Sequence, residues 1–220
     1  METVRTHKIK EPGSAITHFI GMFMAAAAAA PLIIKAVGSI DKGHITASVI
    51  FIVSMILLYG ASTTYHTFDI SEKVNKVLKK LDHAMIFVLI AGTYTPVCVM
   101  GLNNAMGYWL LTTIWTIAAL GITFKMVWVT CPKWVSSVMY IIMGWLCMIA
   151  APFFIRNAGT SAFAWLLAGG IIYTIGGIIY ALKGTGFNKK HKNFGTHEIF
   201  HLFCLGGSFC HFMLVYLYLV

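Results

Sequence analysis

Thr196-His197-Glu198-Ile199-Phe200-His201-Leu202-Phe203 opens a run of mostly apolar residues that continues to Val220. A run of about twenty such residues is long enough to cross the roughly 30 Å of a bilayer's hydrocarbon as a helix. On that helix, residues four apart lie one above the other, so His197 and His201 can reach a single metal ion. The letters also match the HExxH pattern of zinc proteases, a match that means little until its context fits. Whether the stretch is a metal site therefore depends on what the rest of the chain brings to the same membrane depth.

Working outward, six further apolar runs precede it, at roughly 15–37, 46–68, 81–100, 107–128, 135–155 and 162–182. Glycines, prolines and charges punctuate the joins, as at Gly38, Asp41-Lys42, Gly101 to Asn104, Cys131-Pro132-Lys133 and Arg156-Asn157. The pattern predicts an all-α membrane protein, a seven-transmembrane-helix bundle forming one unit over 1–220. The first run follows a basic start and contains an alanine tract at 25–30, features shared with signal peptides. It is too long for one and reads as the first membrane helix.

Composition agrees. The chain is 59% hydrophobic and only 10% charged, against about 25% charged in soluble domains, and its mean hydropathy is +0.81. A net charge of +9 raises nucleic acid as a partner. The basic residues cluster between apolar runs, however, which points to orientation and to anionic lipid headgroups, with no nucleic acid. The five cysteines are scattered and contain no CxxC pair, a poor disulfide framework; they read as buried apolar side chains.

Thirteen of the sixteen basic residues fall on one side: Arg5, Lys8 and Lys10, then Lys73, Lys76, Lys79 and Lys80, then Lys125 and Lys133, then Lys183, Lys189, Lys190 and Lys192. Lys35, Lys42 and Arg156 lie on the other. Positive charge favours the cytoplasm, so the expected N-terminus is cytoplasmic and the C-terminus outside the cell membrane.

That topology tests the opening motif. His197 and His201 start helix seven, His66 ends helix two and Asp82 starts helix three, all at the cytoplasmic side. Ionisable groups at membrane depth are costly and usually functional. Three neutral imidazoles plus a water make an open zinc site of the catalytic type, with Zn2+ the expected cofactor. Zinc of that kind can bring its water's pKa to about 7. Asp82 is placed to hydrogen-bond that water or to orient an imidazole, and Ser62, four residues before His66, shares its helix face. Imidazole ligands favour zinc without excluding iron or nickel.

The remaining candidates are weaker. His18, four residues after Ser14, sits at the same depth, where it either lines the cavity or serves as a cap or interfacial residue. His83 faces about 100° from Asp82 on a helix and reads as structural. His211 is too far along helix seven for the same ion, and His7, His44 and His191 read as solvated. Glu198 turns away from the shared histidine face and reads as a first-turn acid favoured by the helix dipole, above the catalytic base of a protease. Tyr94-Thr95-Pro96 is expected to kink helix three near its outer end.

Ser62-x3-His66, Asp82 and His197-x3-His201 on seven helices together resemble the haemolysin III family, the bacterial branch of the progestin and adipoQ receptor superfamily. The likeness extends to Glu11-Pro12 with Ser14-x3-His18, Tyr65-His66, Leu81-Asp82-His83, Gly92-Thr93-Tyr94-Thr95-Pro96 and the whole of His197 to Phe203. The resemblance implies zinc on His66, His197 and His201, with Asp82 on the metal's water and Ser62 beside it. It implies ceramidase-like hydrolase activity from the wider superfamily, and haemolysis, pore formation or membrane regulation from the bacterial branch. The wider family's Glu/Arg/Asn signature is incomplete, since no Arg-x-Asn follows Glu11.

The expected function is a zinc-dependent intramembrane hydrolase of a lipid amide or ester, with membrane lipids as environment and possible substrate. A non-enzymatic membrane regulator with structural zinc and an oligomeric pore-former are the alternatives. An HExxH protease, with Asp82 as third ligand, leaves His66 without a task.

Overall fold

The computed structural model describes residues 9–39, 41–182, 188 and 194–220. Among these, seven helices are long and apolar enough to cross a membrane. They are α1 (Pro12–Val37), α2 (Lys42–Thr67), α3 (Glu72–Leu102), α4 (Ala105–Val127), α5 (Lys133–Ala158), α6 (Thr160–Ala181) and α7 (Thr196–Leu219). The chain is a multi-pass membrane protein. Arg5, His7, Lys8, Lys183, Lys189, Lys190, His191 and Lys192 lie outside the described residues.

Local chemistry sets the helix ends. Pro12 opens α1 at a position where its missing N–H costs nothing. Asp41 and Ser71 cap α2 and α3 by accepting from the N–H groups of Gly43 and Val74. Asn104 does the same for Gly107 at α4. The element that departs most from the hydropathy pattern is α3, which starts at Glu72 rather than near residue 81. Lys73, Lys76, Lys79 and Lys80 are therefore helical, not loop residues. A hydropathy pattern sees only the part of a helix inside hydrocarbon, whereas Lys, Leu and Glu are good helix formers wherever a cap starts them.

At its other end α3 continues past Pro96 as a π-helical turn, Val97–Leu102, the form that the expected proline distortion takes. Tyr94 anchors this region by donating to the carbonyls of Met143 and Gly144 on α5 at 2.9 and 2.7 Å. Small residues let the last two helices approach closely. A Cβ added at Gly176 of α6 would stand 2.6 Å from the Phe203 Cβ of α7, and one at Gly207 would stand 2.7 Å from the Tyr173 ring.

With the helices antiparallel in sequence, the starts of α1, α3, α5 and α7 share one end of the bundle with the ends of α2, α4 and α6. Four hydrogen bonds close that end around the site. The N–H groups of Lys10 and Glu11 donate to the last carbonyls of α2, Thr67 at 3.2 Å and His66 at 2.9 Å. Ser14 of α1 donates to Glu198 of α7 at 2.5 Å. Tyr59 of α2 donates to Ser208 of α7 at 2.5 Å, one level deeper.

Candidate metal centre

Histidines from opposite ends of the sequence meet at this end. His66, on the last turn of α2, and His197 and His201, on the first turns of α7, each offer a ring nitrogen within 4.8 Å of the others. His66 and His201 are buried and His197 is partly so. The Nε2 atoms of His66 and His197 stand 3.3 Å apart. Two nitrogens on a tetrahedral zinc with bonds of about 2.0–2.1 Å would stand about 3.3–3.4 Å apart. Asp82 is outside this trio.

Outer contacts orient the rings. The Nδ1 of His66 donates to the Glu11 carboxylate, which leaves the Nε2 lone pair directed at His197. Glu11 stands just before the first membrane helix, and the hydrogen bond from His66 outweighs partial burial and holds its carboxyl below the usual carboxylate range. His201 is held differently. Thr17 directs its hydroxyl proton to the carbonyls of Gly13 and Ser14, both at 3.0 Å. Its oxygen then accepts from Nδ1 of His201 at 3.1 Å, and Nε2 of His201 again keeps the lone pair. Holding the second ring nitrogen in this way is the usual means of fixing a ligand histidine's tautomer.

His18 completes the group without joining it. Its ring stacks on His201 at 3.5 Å and 7° and meets Tyr59 edge-on at 5.1 Å. Neither of its nitrogens has a hydrogen-bond partner. Of the two readings left open by the sequence, the structure places His18 on the cavity wall.

Ser62 and Asp82, from α2 and α3, line the same cavity as His18, His197 and His201. Both are buried, and the Ser62 hydroxyl faces the Asp82 carboxyl. The cavity encloses about 140 Å³ and extends along the bundle between α3, α5, α6 and α7, past Ile90, Val97, Met148 and Leu166. It is polar at the histidine end and mostly apolar along its length, as small-molecule sites commonly are.

Glu198 has a structural task. Its carboxylate accepts from the Gly195 N–H at 2.7 Å and from the Ser14 hydroxyl, closing the first turn of α7 and tying it to α1. His211 lies deeper, its Nε2 3.2 Å from the Leu166 carbonyl, and His83 also reaches the cavity wall. Glu11 and Thr17 are the residues whose tasks sequence reasoning did not reach. The depth of Glu11, just before Pro12, was a usable signal. Thr17 offered none, since membrane-helix threonines commonly bond their own backbone, as this one also does.

Two comparisons bear on this site. The model of a family described as haemolysin-III related matches residues 6–212, which include every side chain named above from Glu11 to His211. Hemolysin-3 of Bacillus cereus is 40% identical over 219 residues, covering 99% of this chain and 96% of its own. A Hemolysin-3 homolog of Bacillus subtilis is 38% identical over 211 residues, covering 96% and 95%.

Proposed function

The chain belongs to the haemolysin III family, and from that membership and the geometry of the site we propose that it is a metal-dependent intramembrane hydrolase of a lipid amide or ester. The metal is zinc, held by His66, His197 and His201. The protein works in the cell membrane, with this end of the bundle at the cytoplasmic face. The observation that carries the reading is the 3.3 Å between Nε2 of His66 and Nε2 of His197, with Nδ1 of His66 and of His201 already engaged. Neutral imidazoles so arranged suit a divalent metal of the zinc type.

When bound, the metal supplies a Lewis acid for a carbonyl oxygen and a water of lowered pKa. The chain's own residues do the rest. Asp82, buried at the cavity's polar end, takes the proton of the attacking water and returns it to the leaving nitrogen or oxygen as the amide or ester bond breaks. The hydroxyl of Ser62, beside Asp82, donates to the oxygen on which negative charge develops. Glu11 and Thr17 keep two of the three imidazoles in the metal-binding tautomer. The apolar length of the cavity receives the acyl or alkyl chain and keeps bulk water from the reacting bond.

A second reading rests on a different observation. Contacts around the three histidines join α1, α2 and α7, so the same metal would clamp those helices in a non-enzymatic regulator of the membrane. Elemental analysis of purified protein beside His66→Ala tests the ligands: one metal per chain, absent from the variant, is expected, and full occupancy in the variant refutes the assignment. Lipid turnover then separates the two readings. Hydrolysis by the metal-loaded protein that is abolished in His197→Ala supports the enzyme; metal retention with no turnover of amide or ester lipids supports the clamp.

A further inference from the structure

A second polar group at this end of the bundle lies behind the cavity wall formed by Ser136, where α4 turns into α5. Lys125 is two residues from the end of α4, where a membrane-helix lysine ordinarily extends its amine to water. It does not: its exposure is 0%. Its ammonium donates to Cys131 Sγ at 3.0 Å and to Ser136 Oγ at 2.5 Å, and no carboxylate among the described residues comes within 4 Å of it. A buried charge without a counter-charge is expensive unless a partner of opposite sign arrives.

The wall beside it is short of acceptors in the same way. Ser136 and Ser137 both line the cavity, as does His83 across from them on α3. The Ser137 hydroxyl is 3% exposed and has no hydrogen-bond partner, and Nδ1 of His83 is likewise buried and unpartnered. Ser136 accepts from Lys125 and also stands 3.4 Å from Cys131 Sγ, so Ser137 and His83 are the groups on this wall left without a partner. Buried polar groups are nearly always satisfied, and a cluster left unsatisfied marks a place for a ligand. Asp82 lies on the same cavity beside Ser62 of α2, whereas Ser136 and Ser137 belong to α5.

We infer that Ser136, Ser137 and His83, with the amine of Lys125 behind Ser136, form an oxyanion-binding subsite that takes a phosphate group, carried by a lipid chain in the apolar part of the cavity. Lysine binds phosphate as a point charge, and hydroxyls add charge-assisted hydrogen bonds. The inference deepens the hydrolase reading by assigning it lipids with an anionic head, and it rests on that reading only for the turnover, not for the binding.

Binding of dodecyl phosphate and of inorganic phosphate to the full-length protein in a neutral maltoside detergent tests it, by equilibrium titration and by the shift in Tm. Dodecyl phosphate is expected to bind and to raise Tm, and its affinity to fall about tenfold or more in Ser137→Ala and in Lys125→Met. Ser137 makes no hydrogen bond, so its variant keeps the test intact if Lys125→Met fails to fold. Weaker binding of inorganic phosphate identifies the anion as a lipid headgroup; equal binding, with the same loss in the variants, identifies a free oxyanion at the same subsite. Chelator-treated protein separates this subsite from the metal centre, because binding is expected to survive chelation even if the protein turns over no lipid. Unchanged affinity in both variants, or loss of binding on chelation alone, overturns the inference.

Discussion

Glu11 and Thr17 illustrate how little of a site its ligands describe. Each touches a histidine on the ring nitrogen opposite the one that faces the trio. Such partners orient the ligand and raise its basicity, and their loss commonly costs about 10–100-fold in metal affinity. Glu11→Gln retains a hydrogen-bond acceptor but removes the charge, so its expected effect lies toward the smaller end; Glu11→Ala should reach the larger. Competition with a chelator of known affinity measures both. If neither variant binds metal more weakly than the parent, the carboxylate holds only the end of α2. Glu198→Ala should behave otherwise, lowering stability by about 0.5–2 kcal/mol through the lost cap while leaving His66, His197 and His201 in place.

Among the elements, α6 and α7 depend on contacts that only glycine permits. Gly176→Ala would put a methyl group 2.6 Å from the Cβ of Phe203, on backbone segments that cannot both yield. Overpacking of this kind costs about 1–3 kcal/mol, and a lowered Tm of the purified protein in detergent is the expected readout. Because the same helix carries His197 and His201 two turns or less from Phe203, metal affinity is expected to fall alongside. Tyr94→Phe at the other end of the bundle leaves two buried carbonyls, Met143 and Gly144, without that donor, a loss of about 1–3 kcal/mol. Its metal affinity should be unchanged, since the site lies at the far end of α3. Equal metal loss in both variants would show that affinity tracks overall stability rather than the placement of α7.

For the whole molecule, the three histidines of the proposed metal site come from helices that the sequence separates by more than a hundred residues, and a ligand that binds only the folded state stabilises it by mass action. Chelation is therefore expected to lower Tm in the parent and to leave His66→Ala unaffected; equal shifts in both would mean that the chelator acts elsewhere. Orientation is testable independently. Reporter fusions should place the N-terminus in the cytoplasm and the C-terminus outside, as the distribution of lysine and arginine requires. A cytoplasmic C-terminus would reverse the side from which the cavity's polar end is reached.

Seven helices were legible in the sequence because the bilayer imposes one length and one polarity on whatever crosses it, and both appear as runs of letters. The shared depth of His66, Asp82, His197 and His201 was legible for the same reason, since counting spans assigns each helix end to a side. The start of α3 at Glu72 was not, because a capped helix needs no hydrocarbon around it. Depth also says nothing about rotation. Only the packing of α1 against α2 and α7 turned Glu11 and Thr17 toward the imidazoles, stacked His18 on His201 and gave Glu198 to Ser14. Lys125 shows the division most plainly: by sequence it was one more positive charge near a loop, and by tertiary structure it is an ammonium enclosed beside a cavity. Composition and spacing determine which residues share a membrane level, whereas contacts between side chains distant in sequence decide which of them meet.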